Sequence, residues 1–369
     1  MKITSERDLA EAIRGAEHGL RIRGGGTRTP GKQEQGEVLD VSAISGIRLY
    51  EPGALTLVAG AGTPLAEIEA ALGAEGQRLA FEPADWRRLL GREGEPTLGG
   101  IVAANSSGPR RVQAGACRDA LLGVRFVDGT GAIVKNGGRV MKNVTGYDLV
   151  KLMAGSWGTL GVLSEVSFKV LPAPEAVATL TLHGLDFATA GAAMSHALRS
   201  PFEVTGAAHG QGRTMIRIEG FAGSVAYRAG QLQSRLARYA PAEIDHDKGR
   251  NDANWRDIRD VAPFHGAAGD VWRLSVKPSD APGLVERAGA RDAMLDWGGG
   301  LIWLLTPEGT DLRARLGHFD GHATLIRAGQ ETLARIAAFQ PEPASIAAIS
   351  KGLRARFDPR GILNPGLMG

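Results

Sequence analysis

P-T-L-G-G-I-V-A-A-N-S-S-G at Pro96–Gly108, G-A-C-R-D at Gly115–Asp119, K-N-V-T-G-Y-D-L at Lys142–Leu149 and G-S-W-G-T-L-G-V at Gly155–Val162 follow one another within a single window of the chain. Each places glycine or a small hydroxyl residue where main chain must come close to something large. Glycine lacks a Cβ and takes positive φ without cost, so a ligand can lie directly on peptide N–H groups. One such loop is weak evidence. Four in succession, with a fifth upstream in R-G-G-G-T-R at Arg23–Arg28, point to a long ligand held at many points, such as a dinucleotide.

Outward from this window, the 369 residues are enough for about two domains. With 43% hydrophobic and 22% charged residues the composition is that of a folded globular chain. Lys and Arg number 43 against 40 acidic residues, and the basic ones are scattered rather than gathered in a stripe, so no nucleic-acid partner is expected. The single cysteine, Cys117, excludes an internal disulfide framework and a cysteine-ligated cluster within this chain. M-K-I-T-S-E-R-D-L-A-E-A-I does not read as a signal peptide, and no run approaches the ~18 apolar residues of a membrane span. A cytoplasmic protein, at most peripheral to the inner membrane, is expected.

Along the chain, Thr4–Ala16 reads as a helix capped by Ser5, and Leu20–Arg23 as a short strand entering the first glycine loop. Val38–Val41, Ile47–Tyr50 and Leu55–Ala59 read as strands, and Pro64 opens a helix that stops at Gly73. Val166–Val170 is the last strand before the proline-marked boundary L-P-A-P-E at Leu171–Glu175. Beyond it, strands at Val177–His183, Val204–Ala208 and Thr214–Gly220 alternate with helices at Phe187–Leu198 and Ser224–Leu236. Further strands follow at Val271–Lys277, Ala293–Asp296, Leu301–Leu305 and Thr324–Arg327, and Ser345–Phe357 is a final helix. The fold class is α+β: a ligand-binding α+β region over residues 1–172, a smaller α+β domain with an antiparallel sheet over 173–340, and a C-terminal helix and tail over 341–369.

R-G-G-G-T at Arg23–Thr27 suits a phosphate, because successive N–H groups converge on an anion and the threonine hydroxyl adds a donor. Read by itself, it is equally a β-turn. It is neither G-x-G-x-x-G opening a helix nor G-x-x-x-x-G-K-[ST], so nicotinamide and P-loop fingerprints are excluded. Ala103–Gly108 adds small residues and hydroxyl donors, with Arg110 and Arg111 as nearby candidate counter-charges that are individually better read as surface arginines. Gly155, Gly158 and Gly161 are spaced for chain to stack against a flat ring, though the bland reading of that motif is a tight turn before a strand.

As a set, these motifs in this order resemble the FAD-binding domain of the vanillyl-alcohol-oxidase (PCMH) type, which implies two α+β subdomains within residues 1–172 and a C-terminal tail over 341–369 that returns toward them. K-N-V-T-G-Y-D-L and the closing F-D-P-R-G-I-L-N-P-G resemble the 2-hydroxyacid dehydrogenases within it. The short second domain resembles that of the FAD-binding E subunits of glycolate oxidase, which work in a three-protein complex. The resemblance implies that Arg23, Gly24, Gly25, Gly26 and Thr27, with Pro96, Thr97, Leu98, Gly99 and Gly100, hold the FAD pyrophosphate. Asn105, Ser106, Ser107 and Gly108 join the cofactor-binding set, Gly115, Arg118 and Asp119 lie along the flavin side, and Gly158, Thr159, Gly161 and Val162 border the adenine end. Members with covalent flavin carry histidine where Thr27 stands, so the FAD is expected to be non-covalent. The partners implied are a homologous flavoprotein subunit and an iron–sulfur subunit.

The resemblance thins at the chemistry. Standalone members carry H-x-G-D-G-N-x-H for a metal and the hydroxyacid. The comparable stretch here, H-F-D-G-H-A-T-L-I-R at His318–Arg327, lacks the acidic and asparagine positions. Gly317 and Gly321 favour a loop there, and no metal site is expected. Oxidising an α-hydroxyacid needs a base for the hydroxyl proton, a cation for the carboxylate and a hydride acceptor. Arg273 and Lys277, read as sharing one strand face, are the candidate carboxylate clamp, against the plainer reading of ordinary exposed strand charges. Three functions stay open: a flavoprotein subunit of a glycolate-oxidising complex, a self-sufficient dehydrogenase for D-lactate or a related acid, and an FAD-binding assembly subunit without turnover.

Overall fold

The computed structural model describes residues 1–30, 36–139 and 146–368. Lys142–Thr145 of the K-N-V-T-G-Y-D-L motif therefore lies outside the described residues. The helix Glu6–Gly15 is capped by the Ser5 hydroxyl, which accepts from the Asp8 N–H, and buries Leu9, Ala10 and Ile13. β1 (Leu20–Arg23) and β2 (Glu37–Asp40) pair in parallel. β3 (Ile47–Glu51), β4 (Thr56–Gly60), β5 (Gln77–Leu79), β6 (Leu121–Val127), β7 (Ile133–Gly137) and β8 (Val162–Pro172) make a second, antiparallel sheet, in the order β3-β4-β8-β6-β7 with β5 on the far end of β8.

β8 is the hub, pairing with β4, β5 and β6. Eleven residues long, it is more than twice the expected Val166–Val170. Ser164 and Glu165 interrupt the apolar run and hid its first half. Ser164 is nevertheless buried, because its hydroxyl donates to Glu6 at 2.6 Å, which in turn is paired with Arg125 of β6. Leu57, Ile68, Leu72, Phe81, Leu98, Phe126 and Phe168 form the core around this sheet.

β8 ends at Pro172 and β9 (Ala176–His183) opens the third sheet. β10 (Val204–Gly210), β11 (Arg213–Gly220), β12 (Ala242–Asp245), β13 (Asp270–Val276), β14 (Asp292–Asp296), β15 (Leu301–Thr306) and β16 (Gly321–Arg327) complete it. The order is β12-β9-β11-β10-β14-β15-β13-β16, antiparallel throughout. Because side chains alternate along a strand, the sheet has two unlike faces. Ile216, Ile218, Trp272, Leu274, Leu295, Ile302, Leu304 and Leu325 pack under the helices Phe187–Leu198, Ala222–Leu236 and Ala281–Ala288. Val271, Met294, Leu301, Trp303 and Ile326 turn the other way and meet Ala84, Trp86 and Leu89 of the first domain, with the Trp86 and Trp303 rings edge-on at 5.9 Å.

Charge completes this junction. Arg217 of β11 is bidentate to Glu82, both contacts at 2.9 Å, and Arg110 is bidentate to Glu219 at 2.9 and 2.8 Å. Arg78 adds 2.7 Å to Glu219. Burial alone would raise both carboxyls, yet Arg217 and Arg110 hold Glu82 and Glu219 below the usual carboxylate range. Arg110 is thus a structural arginine of the domain junction, not a counter-charge for phosphate.

After the helix Ala344–Phe357 the tail returns to β1: Leu20 N–H donates to Ile362 O at 2.6 Å, and Asn364 N–H to Leu20 O at 2.9 Å. The Asn364 side chain accepts from Ile22 N–H at 2.7 Å and donates to Trp157 O at 2.8 Å.

Removing one partner of a buried ion pair typically costs about 3–5 kcal/mol. Glu219→Ala is expected to lower the unfolding free energy by about that much in urea melts at pH 7. Carboxylates held low contribute fully above their unfolded pKa of about 4.3, and that contribution is lost as pH falls below it. Glu219→Gln is therefore expected to show a shallower loss of stability below about pH 4 than the parent.

Candidate cofactor and substrate site

Three of the glycine-rich segments, far apart in sequence, converge on one cavity of about 770 Å3. This lies within the roughly 300–1,000 Å3 of small-molecule sites. Its wall contains Arg23, Gly24, Gly25, Gly26 and Thr27 from the first loop, Thr97, Gly99 and Gly100 from the second, Gly158, Gly161 and Val162 from the last, and Asn364 and Leu367 from the tail. The first loop is built onto the second. A Cβ on Gly25 would stand 1.7 Å from Glu95 O, so only glycine lets the two main chains meet. Gly158 has φ +73, and there the chain turns from Trp157 toward β8.

Other expected residues stand near the cavity without lining it. Pro96 accepts from Leu65 N–H at 2.7 Å, and Leu98 is core in the helix Leu98–Ala103. Thr159 is buried and donates to Ser156 O at 2.7 Å. Asn105, at φ +47, accepts from Arg118 N–H at 3.0 Å, and Ser107 accepts from Cys117 N–H at 2.9 Å. Ser106 accepts from Arg28 at 3.1 Å, and Gly108 O accepts from the Trp297 indole at 3.0 Å. Asn105–Gly108 thus spends its polar groups tying loops together. Gly115 has φ +80, Asp119 folds back to accept from Ala116 N–H at 2.8 Å, and Arg118 is exposed. Cys117 is fully buried, and burial pushes its thiol up, which makes it inert.

The sequence reading missed Arg28 as a binding residue. It lines the cavity, 4% exposed, and one nitrogen donates to Ala84 O at 2.5 Å and to Ser106. Its Nε and second terminal nitrogen have no partner among the described residues. Burial pulls the guanidinium down to about 10, so it is still charged at neutral pH. Buried donors without acceptors are costly, and an anionic or carbonyl-bearing ligand would satisfy them. Glycine main chain on several sides, a hydroxyl at Thr27 and these orphaned donors fit a large phosphate-bearing cofactor.

The candidate clamp is not assembled as a pair. Arg273 lies in β13 on the face toward the first domain, with its guanidinium 5.3 Å from the Trp297 ring centre and 6.0 Å from that of Trp303. Burial and neighbouring Arg111 pull it down to about 10. Lys277 falls just beyond the strand, on an exposed turn, where it is paired with Asp320. A proline at 278 ends the strand, which sends the lysine outward. Asp296 of β14 is 2% exposed, accepts from Trp297 N–H at 2.7 Å, and is pushed up to about 7 by burial. His322 is the second residue of β16, opposite Ser275, so His318 and His322 are not on one helical turn. Among the described residues, no group of three or more His, Cys, Asp or Glu side chains is placed to hold a metal ion.

Comparison with known proteins bears on this arrangement. A family described as FAD binding domain matches residues 1–137. The glycolate oxidase subunit GlcE of Escherichia coli is 37% identical over 92% of this chain and 89% of its own length. Partial matches include a D-lactate dehydrogenase of Anaerostipes hadrus, 41% identical over 30% of this chain and 22% of that protein. Another is the glycolate oxidase subunit GlcD of Bacillus subtilis, 43% identical over 23% and 18%. Among solved structures, alkyldihydroxyacetonephosphate synthase superposes on 99% of the chain and 76% of its own with a TM-score of 0.71, at 18% identity, which shows a shared fold.

Gly25→Ala is expected to cut the flavin retained after purification to below about a tenth of the parent value, read at ~450 nm, because the loop cannot keep its contact with Glu95. Its far-ultraviolet circular dichroism is expected to stay close to that of the parent, since Gly25 is in no helix or strand.

Proposed function

The chain belongs to the family of the glycolate oxidase E subunits, FAD-linked oxidoreductases of the hydroxyacid oxidase type, and from that premise we propose that it is the FAD-carrying subunit of a complex that oxidises glycolate or a related short 2-hydroxyacid. The observation that carries the reading is the meeting of Arg23–Thr27, Thr97–Gly100 and Gly158–Val162 on one cavity, with an unpaired arginine on the sheet that faces this domain. Bound FAD would supply the two-electron acceptor.

The chain's own residues do the rest. Arg23–Thr27 and Thr97–Gly100 hold the diphosphate with main-chain N–H groups and the Thr27 hydroxyl, and Arg28 gives its two unpartnered donors to the cofactor. Arg273 draws in the carboxylate of the substrate, and the surrounding Trp297, Trp303 and Met294 exclude water from it. On this reading electrons leave through an iron–sulfur partner, since any cluster has to sit outside this chain, whose one cysteine is buried and cannot hold it. The described residues include no helix long and apolar enough to cross a membrane.

Anaerobic titration of the flavin-loaded chain with glycolate and with D-lactate is expected to bleach the ~450 nm band. Bleaching only after the sister subunits are added would assign turnover to the assembled complex. Arg273→Gln is expected to lower kcat/KM by about 30-fold to 1,000-fold, the range for losing one partner of a buried charged contact. Lys277→Gln is expected to leave it within about twofold, as for an exposed pair.

A further inference from the structure

A second arginine faces Arg273 across the domain junction. Arg111 follows the small-residue loop Ala103–Gly108, and its guanidinium lies 4.3 Å from the centre of the same Trp297 ring that Arg273 approaches at 5.3 Å. Both are half-buried. Neither has a hydrogen-bond or ion-pair partner among the described residues, in a protein where Arg110 and Arg217 are paired with carboxylates and Arg327 with main-chain carbonyls. The nearest acids are committed elsewhere, Asp119 to Ala116 N–H and Asp296 to Trp297 N–H. Burial pulls both guanidinium groups down, helped at Arg111 by Arg118 and at Arg273 by Arg111, and His322, from the adjoining strand, feels both Arg273 and Arg111. Stacking on an indole satisfies a guanidinium's charge in part but none of its five N–H donors.

The floor of this arrangement is held under strain. Trp297 has φ +54, a conformation that a bulky residue rarely adopts, and it is kept there by Asp296 at its N–H and by Gly108 O at its indole. That last bond fastens the tryptophan of the second domain to the loop of the first. Two cations from different domains therefore converge over one strained ring, with no acceptor for either.

We propose that Arg111 and Arg273, over Trp297, form a carboxylate-binding site completed only when the two domains dock, with His322 at its edge, and that it takes the carboxylate of a short 2-hydroxyacid. The site rests on the reading of the chain as a hydroxyacid oxidase subunit, which it deepens by supplying the second arm that Lys277 does not. Two planar forks gripping one carboxylate discriminate against uncharged alcohols, because removing the anion restores their mutual repulsion. Planar donors also distinguish Arg111 from a mere charge, so lysine there keeps attraction but loses the fork.

The test uses the full chain loaded with FAD and oxalate, a dicarboxylate that cannot be oxidised as a hydroxyacid, followed by calorimetric titration and by perturbation of the flavin spectrum. Arg111→Gln and Arg273→Gln are each expected to weaken oxalate binding at least tenfold, and Arg111→Lys by less, with flavin content and melting temperature close to the parent. Arg250→Gln, at an exposed ion pair with Asp245 of β12, on the opposite side of the sheet order from β13, is expected to bind as the parent does. Parent-like oxalate affinity in Arg111→Gln, or no oxalate binding by the parent, would overturn the site. If oxalate binds through Arg111 but neither glycolate nor D-lactate reduces the flavin even with the partner subunits, the carboxylate site stands and the hydroxyacid reading falls. If substrate reduction in Arg111→Gln matches the parent, the site falls and that reading stands.

Discussion

The interlock of Glu82, Glu219, Arg110 and Arg217 sets where everything else can stand. Two carboxylates and their arginines, all largely shielded from water, tolerate little displacement, since each guanidinium is held by two parallel bonds. Loss of any member leaves a buried charge uncompensated. The geometry therefore fixes how the eight-stranded sheet lies against the first domain, and with it the approach of Arg273 to Arg111. Trp255 beneath Arg217, at 4.5 Å, and the edge-on pair Trp86 and Trp303 fill the space around it. The apolar contacts supply most of the burial, and the charged pairs supply direction.

Backbone strain gathers in the same region. Glu82, Asn105, Trp157 and Trp297 all have positive φ. None is glycine, and each carries a side chain with a specific duty: Glu82 in the ion lattice, Asn105 bonded to Arg118 N–H, Trp157 against Phe339 and Trp297 under the arginines. Such conformations persist only where surroundings over-determine them. Here the surroundings are bonds between distant loops, and the strain lies where the two domains and the cofactor cavity adjoin.

What could be read from the chain alone followed from how local each signal was. The strands β1, β9 and β11, the helix Phe187–Leu198 and the Ser5 cap obey rules that span a few residues, and the expected boundaries lie close to the observed ones. The glycine segments were legible for the same reason. β6 and β7 were not anticipated, because Gly123 and Arg125 break the apolar pattern that burial between β8 and β7 makes unnecessary. At the candidate site, Arg273 could be picked out by residue type, but its partner could not. Nothing in Pro109–Val112 announces that Arg111 will share a ring with a strand far along the chain, and the pairing of Glu82 with Arg217 spans 135 residues. Lys277 was misplaced because four-residue spacing was counted as one strand face, whereas Pro278 ends the strand.

Asn364 joins β1 to the turn at Trp157, and residues 362 to 364 run alongside β1 as a further strand would. Translation delivers Asn364 342 residues after Ile22. The wall that the first glycine loop needs is thus made long after the loop itself. An N-terminal domain folding during synthesis would have its sheet and its glycine turns but an open side, so cofactor capture belongs to the time after Asn364 has emerged. Quality control is built into that sequence of events: a chain cut short before Asn364 would be left without the closing wall, and would be recognisable by its lack of colour.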